Sequence, residues 1–163
     1  SGIMVDTNNF MNKPGVRTFE AVAFLRRSGA DISRIRKLFR ADLAEYKVKA
    51  EAIQNTEIFM KAYAIALCNA NHCESPTIVG AKIANELLDI AGIKASFVLT
   101  EFEGKIYISA RSIDELNVQV VMEKLGGGGH ITSAGAQLEN VTLYEGGEIL
   151  RKTLTKMKEE GDL

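Results

Sequence analysis

The fold of this chain is decided by residues 117–138, which read NVQVVMEKLGGGGHITSAGAQL. Apolar residues at helical spacing lead into a run of four glycines and a histidine, Gly126, Gly127, Gly128, Gly129 and His130. Each glycine in an ordered segment costs roughly 0.5–1 kcal/mol relative to alanine, so the run costs about 2–4 kcal/mol. Binding of an anion can offset this cost, because glycine has no side chain to block a phosphate or a carboxylate from its backbone N–H groups.

A flexible linker is the alternative interpretation of the glycine run. Linkers are usually flanked by Ser, Pro or charged residues, whereas Leu125 precedes this run and Ile131 follows it. We therefore predict an ordered loop that binds an anionic ligand through its main-chain amides. His130 would donate to a phosphate or stack on a base, or it would only close the loop by a hydrogen bond. Thr132 and Ser133 add hydroxyl groups beside it.

Hydrophobic periodicity predicts a mixed α/β fold around this stretch. Strands are expected at 63–67, 95–102, 105–110 and 134–138, with a hairpin turn at Glu103-Gly104. Helices are expected at 77–91, 117–125 and 144–159. Before them, a helix over about 42–56 would bury an apolar face formed by Leu43, Tyr46, Ala50 and Ile53. The first part of the chain predicts a strand at 3–7 and helices at 18–27 and 31–39.

Composition limits the classes of function. The chain has 163 residues with 20 basic and 21 acidic side chains, so any anion must be bound by a local site rather than by a global field. Cys68 and Cys73 give no disulfide framework and fit a reducing cytosol. No apolar run approaches the roughly 18 residues of a membrane span. Because an apolar strand opens the chain, we expect a missing segment upstream of it.

Two more side chains are candidates for binding chemistry. Arg111 follows the strand at 105–110, where a guanidinium can hold a phosphate through two parallel hydrogen bonds. A surface salt bridge with Asp114 or Glu115 is the alternative role for Arg111. Asp6 ends the strand at 3–7, as metal-binding carboxylates often do in α/β proteins, although a turn aspartate is the simpler interpretation.

Several familiar sites are disfavoured. Ile131 stands where a P-loop or a dinucleotide-binding fingerprint would need a different residue. Cys68, His72 and Cys73 do not have the spacing of a structural zinc site, and no partner cluster occurs elsewhere. With only two histidines in the chain, a self-sufficient two-metal hydrolytic centre is also disfavoured.

The same residues resemble a known family. Residues 108–138, ISARSIDELNVQVVMEKLGGGGHITSAGAQL, are similar to the substrate-binding C-terminal domain attached to DHH-family phosphoesterases. Residues 2–10, GIMVDTNNF, and 15–31, GVRTFEAVAFLRRSGAD, resemble the end of the DHH catalytic domain itself. The combination is most similar to the bacterial, membrane-anchored subgroup that hydrolyses cyclic di-AMP.

This resemblance implies a domain organisation. Residues 1–41 would be the helical tail of a truncated DHH catalytic domain and residues 42–57 a linker helix. Residues 58–163 would be a small mixed-sheet substrate-binding domain of α/β class, flanked by helices. It implies a manganese-dependent phosphodiesterase with two metals, in which Asp6 matches a metal ligand. Arg111 and residues 126–130 would then bind the phosphates and the nucleotide.

The DxD and DHH motifs of the family are absent from the sequence, so this chain alone is expected to be inactive. The expected partner is a cyclic dinucleotide or a short oligonucleotide, because relatives of both kinds carry GGGGH. The sequence does not decide between a monomer and a homodimer. We expect a cytoplasmic domain without membrane contact of its own, from a parent protein anchored in the bacterial membrane. The alternatives are a nucleotide-binding or nucleic-acid-binding module without hydrolytic activity, and a dimerisation domain whose glycine loop binds nothing.

Overall fold

The computed structural model describes residues 42–113 and 116–163, together with residues 23, 24, 27, 29, 33, 37 and 40. The chain divides into two units, Ser1–Ala41 and Asp42–Leu163, of which the second is described here. Apart from those isolated positions, the predictions for residues 1–41, including Asp6, lie outside the described residues.

A mixed six-stranded sheet forms the centre of the second unit, in the order β1-β2-β3-β4-β6-β5. Strands β2 and β3 are parallel and are connected through α2, while the other neighbours pair antiparallel. This arrangement confirms the predicted α/β class with a mixed sheet. The elements are α1 (Leu43–Gln54), β1 (Glu57–Phe59), β2 (Tyr63–Cys68), α2 (Pro76–Leu87), β3 (Ala95–Phe102), β4 (Lys105–Ser112), α3 (Val118–Lys124), β5 (Gly128–Gly129), β6 (Ser133–Glu139) and α4 (Leu143–Glu159).

Local signals place the elements around the glycine run. The β3–β4 hairpin turns at Glu103 and Gly104, whose φ angles of 50° and 74° are those of a type I′ turn. Asn117 caps α3 by accepting a hydrogen bond from the backbone N–H of Val120 at 3.3 Å. Both features were predicted from the sequence, and both are confirmed.

The two faces of the sheet are covered differently. Alternation along β4 turns Ile106, Ile108 and Ala110 towards a core that α3 and α4 complete with Val121 and Leu154. On the opposite face, α2 packs its buried side chains on β2 and β3 and reaches β4. Within the described residues, no helix packs on β6 and β5 on that second face. This second face, over β4, β6 and β5, is called the open face below.

Helix α1 corrects one prediction. Most of its expected apolar face is exposed, with Leu43 at 68% and Tyr46 at 55%, and of that face Ile53 packs against the core. The inward side carries Val48, Ala52 and Ile53, and two ion pairs also hold α1 against α2. These join Lys49 Nζ to Glu86 Oε1 at 2.8 Å and Lys82 Nζ to Glu45 Oε1 at 2.7 Å. Helix α1 therefore packs on α2 and β2 through a few apolar side chains and through charged ones.

Several elements also differ from prediction. Helix α2 ends at Leu87 rather than at residue 91, because the N–H groups of Asp89 and Ile90 form tighter i→i−3 hydrogen bonds. Strand β4 ends at Ser112 rather than at residue 110. Arg111 and Ser112 continue the strand because both residues pair with β3. Strand β1 was missed. It turns into β2 through Met60 and Lys61, which have positive φ angles without a glycine to indicate them.

A buried hydroxyl on β3 gives a test of this packing. Thr100 is 1% exposed, and its Oγ1 has no hydrogen-bond partner among the described residues. It lies against Gly80 of α2, where an added Cβ would collide with it. Ser96 lies four residues earlier on the same face of β3. Its hydroxyl does have a partner, because its Oγ donates to the carbonyl oxygen of Ala84 at 2.6 Å.

Thr100→Val is therefore expected to raise the free energy of unfolding by about 1 kcal/mol, since an unpaired buried hydroxyl is replaced by a methyl of similar shape. Ser96→Ala, the matched control, should lower it by about 1 kcal/mol. Urea unfolding of the three proteins measures both changes. A loss of stability in Thr100→Val would mean that the hydroxyl has a partner, such as an ordered water.

Candidate functional site

On the open face, three neighbouring transverse rows of residues cross β4 and β6, and one of them continues onto β5. The row beyond them is the ion pair of Lys105 with Glu139. The polar row contains Arg111, which pairs with Ser133. Ser133 in turn exchanges main-chain hydrogen bonds with His130, at 2.8 Å from the His130 N–H and 3.3 Å to the His130 carbonyl oxygen. Directly paired residues project from the same face, so a guanidinium, a hydroxyl and an imidazole share one line.

Arg111 is half-buried in this row. Its Nη1 donates to the carbonyl oxygen of Ala110 at 2.9 Å. Burial lowers the pKa of the Arg111 guanidinium from its usual value, because desolvation disfavours the charged form. An arginine nevertheless stays cationic in proteins, so the row holds a partly desolvated positive charge. The alternative partners Asp114 and Glu115 lie outside the described residues.

The second row is almost without side chains. Ser109 pairs with Gly135, and Gly135 pairs with Gly128. A Cβ added at Gly128 would have no atom within 4 Å. This bare row therefore forms a shallow trough between the rows on either side of it.

The third row joins Tyr107 of β4 to Gln137 of β6, which are directly paired. The Tyr107 ring lies 6.2 Å from the ring of Phe102, with an interplanar angle of 50°. A cleft of about 390 Å³ opens over this aromatic row and the bare row. Thr77 at the start of α2 lines one side of the cleft, and Gly126 and Gly127 line the other.

The glycine run differs from the loop predicted from the sequence. Gly126 has φ +82°, and the N–H groups of Gly126 and Gly127 donate to Glu123 and Met122 at 3.1 and 2.8 Å, which is a Schellman motif closing α3. Gly128 and Gly129 then form strand β5. The N–H of His130 is also used internally, so the expected convergence of successive N–H donors is wrong. The run ends α3 and begins β5, and most of its N–H groups donate to carbonyl oxygens of the chain itself.

One main-chain donor of the run still points away from β6. His130 and Ser133 exchange both of their hydrogen bonds, and such pairs alternate with non-hydrogen-bonded pairs along an antiparallel ladder. Gly129, paired with Ala134, is the next residue along β5. Its N–H therefore points outward at the edge of the sheet, where a ligand can reach it.

The turn at 131–132 is fixed from outside the hairpin. The carbonyl oxygen of Ile131 accepts from the N–H of Val118 at 2.9 Å, and that of Thr132 accepts from the N–H of Ser112 at 3.1 Å. The tip of β5–β6 is thus tied to the end of β4 and to the start of α3. These bonds position the polar row relative to both elements.

Comparisons with known proteins agree with this fold. The DHHA1 domain family matches residues 62–160. This chain belongs to the DHHA1 domain family. The cyclic-di-AMP phosphodiesterase GdpP of Geobacillus thermodenitrificans is 41% identical over 162 residues, which cover 99% of this chain and 24% of that protein. The cyclic-di-AMP phosphodiesterase PdeA of Listeria monocytogenes is 41% identical over 146 residues, 89% of this chain and 22% of that protein.

A solved structure is similar as well. An exopolyphosphatase-related protein from Bacteroides fragilis matches with a TM-score of 0.82 at 21% identity, over 96% of this chain and 48% of that chain. At that identity the likeness shows the fold. The chain spans about a quarter of the length of the two cyclic-di-AMP phosphodiesterases that it matches.

Burial raises the pKa of both cysteines of the DHHA1 domain. Burial, followed by the charge of Cys73, raises the pKa of the Cys68 thiol to about 11. Burial, followed by the charge of Asp42, also raises the pKa of Cys73 above its usual value. Across residues 42–113 and 116–163, no group of three or more His, Cys, Asp or Glu side chains could hold a metal ion. Helices long and apolar enough to cross a membrane are likewise not found among the described residues.

The structure brings together the predicted residues Arg111, Gly128, Gly129 and His130. Sequence reasoning missed the side chains that line the cleft. A signal for two of them was present, because Tyr107 and Ser109 precede Arg111 at spacings of two and therefore share its face of β4. The contributions of Thr77 and Gln137 depend on which strands and helices become neighbours.

The glycines of the DHHA1 domain are expected to differ in what they tolerate. A Cβ at Gly127 would collide with the carbonyl oxygen of Gly135, and one at Gly129 would lie 2.5 Å from Ala134 Cα in a residue with φ +144°. Gly127→Ala and Gly129→Ala should each lower the free energy of unfolding by about 2 kcal/mol or more. Gly128→Ala should leave it within about 0.5 kcal/mol, since nothing opposes the added methyl. Urea unfolding midpoints measure the series, and equal losses at all three positions would contradict the packing described.

Proposed function

We propose that this chain is the nucleotide-binding C-terminal part of a phosphodiesterase that hydrolyses cyclic di-AMP, or short oligonucleotides, to linear products. The observation that carries the proposal is the polar row. A partly desolvated Arg111 lies in line with Ser133 and His130, beside a trough without side chains. Two relatives at 41% identity that bear the name cyclic-di-AMP phosphodiesterase support the choice of substrate.

The proposed role of the polar row is to bind the phosphates. The Arg111 guanidinium supplies charge and two parallel donors to one phosphate, and desolvation strengthens that attraction. The outward N–H of Gly129, the Ser133 hydroxyl and the exposed His130 imidazole add donors at the same end of the sheet. Gly128 lets the backbone of a nucleotide approach closely, because no Cβ projects into the trough.

The proposed cofactor of the whole enzyme is manganese, held as two ions with Asp6 as one ligand. The described residues do not fit such a site, since they contain no group of His, Cys, Asp or Glu able to hold a metal. The proposal therefore assigns them binding and orientation of the phosphodiester only. For the parent protein we propose a membrane-anchored enzyme with this part in the cytosol.

Arg111→Lys and Arg111→Gln are expected to weaken binding of the linear dinucleotide pApA. Each charge-assisted hydrogen bond lost is worth about 1.5–3 kcal/mol, which is roughly a ten- to hundredfold loss of affinity. The lysine variant keeps the charge but not the paired geometry, so it should fall between wild type and the glutamine variant. Gly128→Ala should also weaken binding while remaining folded.

Calorimetry on the 163-residue chain measures these affinities. Lys152→Gln, at a lysine of α4 on the opposite side of the sheet, is the control and should bind as wild type does. Equal affinity in the wild type and both Arg111 variants would mean that Arg111 does not bind the dinucleotide. Failure of the wild type to release heat with pApA would support a domain that binds no nucleotide.

Catalysis is expected only from a longer protein. The 163-residue chain with Mn²⁺ should leave cyclic di-AMP intact, while the parent protein should open it to the linear dinucleotide. Chromatography of the nucleotides checks both expectations, with EDTA as the control for metal dependence. If the parent binds cyclic di-AMP without turnover, the chain belongs to a binding protein rather than to an enzyme.

A further inference from the structure

We propose that Tyr107 and Gln137 form a nucleobase subsite that favours adenine over guanine. The subsite lies in the cleft between the first turn of α2 and the glycine run. The inference rests on the proposed function for the phosphate that anchors the ligand on the polar row. It adds a base-reading site to that function and a specificity that the polar row does not supply.

The two side chains are placed together by strand register. Tyr107 and Gln137 are direct partners across β4 and β6, so their Cβ atoms lie about 4.5–5.5 Å apart on the open face. Both line the cleft of about 390 Å³. An aromatic ring and a primary amide therefore meet the same ligand from adjacent strands.

The distance from the polar row suits one nucleotide laid along the strand. Arg111 and Tyr107 are four residues apart on β4, which corresponds to about 13 Å at roughly 3.3 Å per residue. The bare row of Ser109, Gly135 and Gly128 lies between them. With a phosphate on Arg111, the ribose crosses the bare row and the base reaches Tyr107 and Gln137.

The cleft suits a neutral planar group better than a second phosphate. The residues that line it carry no charged side chain. Tyr107 is half-buried and lies beside Phe102, which limits the positions of its ring. Stacking of a base on an aromatic ring stabilises complexes without regard to sequence, and this term would apply to adenine and guanine alike.

Selectivity comes from the amide of Gln137. Glutamine donates through Nε2 and accepts through Oε1, which matches N7 and the exocyclic N6 amine of adenine in a bidentate pair. Guanine presents two acceptors, N7 and O6, on the same edge and is bound by arginine or lysine there. Arg111 is two rows away, and Lys105, one row away on the same face of β4, is paired with Glu139 at 3.3 Å. The subsite therefore holds the partner for adenine, while both nearby cations are placed or paired elsewhere.

Affinities of three ligands test the inference on the 163-residue chain, namely adenosine 5′-monophosphate, guanosine 5′-monophosphate and ribose 5-phosphate, measured by ligand-observed NMR titration. They share one phosphate and differ in the base. The wild type should bind the adenosine nucleotide at least several-fold more tightly than the other two. Gln137→Leu should bring the adenosine-to-guanosine ratio close to one and leave ribose 5-phosphate unchanged. Tyr107→Leu should weaken both nucleotides by about tenfold towards the value for ribose 5-phosphate.

Matched variants separate these effects from loss of folding. Gln119→Leu on α3 and Tyr144→Leu on α4 make the same exchanges outside the cleft, and both should keep wild-type affinities. The fold of each variant is checked by its unfolding midpoint. Arg111→Gln should weaken all three ligands together, because it removes only the phosphate contact.

The outcomes separate the two proposals. If Arg111→Gln weakens every ligand while Gln137→Leu and Tyr107→Leu leave the base preference intact, the nucleobase subsite is overturned and the phosphate site stands. If the cleft variants change the base preference while Arg111→Gln has no effect, the subsite stands and the phosphate site fails. A wild type that binds all three ligands equally overturns the subsite, and one that binds none of them overturns both proposals.

Discussion

The antiparallel pairing of β6 with β4 on one side and β5 on the other is the constraint on which the candidate site depends. Side chains alternate with a period of two, so a slip of one residue would turn Ser133, Gly135 and Gln137 into the core. Ala134 and Ala136 would then face the cleft. The polar, bare and aromatic rows form only in the observed register. Each of them joins residues of β4 and β6 that are far apart in the sequence.

The glycine run fixes that register more than it binds a ligand. Gly127 and Gly129 lie so close to residues 133–136 that a Cβ at either position would collide with the neighbouring main chain. Gly126 supplies the left-handed residue that ends α3. Three of the four glycines therefore have a structural reason for being there, and only Gly128 is left without one. The case for a bound nucleotide moves from the glycines as a group to Arg111 and the open trough beside Gly128.

The sequence predicted the elements whose signals are local. The β3–β4 hairpin follows from Glu103-Gly104, the start of α3 from Asn117, and the buried face of α4 from the spacing of Leu150, Leu154 and Met157. It did not predict the inward side of α1, which consists of Val48, Ala52 and Ile53 together with ion pairs to α2, while Leu43 and Tyr46 are exposed. The cleft was also not predictable, since Tyr107 and Gln137 are 30 positions apart and meet only through strand pairing. Arg111 was expected to follow the strand at 105–110, whereas it lies within β4 and pairs with Ser133.

The most direct measurement is backbone and side-chain NMR of the 163-residue chain during titration with the linear dinucleotide pApA. Chemical-shift changes should concentrate on the open face, at Arg111, Gly128, Gly129 and His130, and extend along β4 and β6 towards Tyr107. They should be absent from the exposed side of α4, on the far side of the sheet. Changes confined to α4 or to α1, with the open face unaffected, would contradict the account.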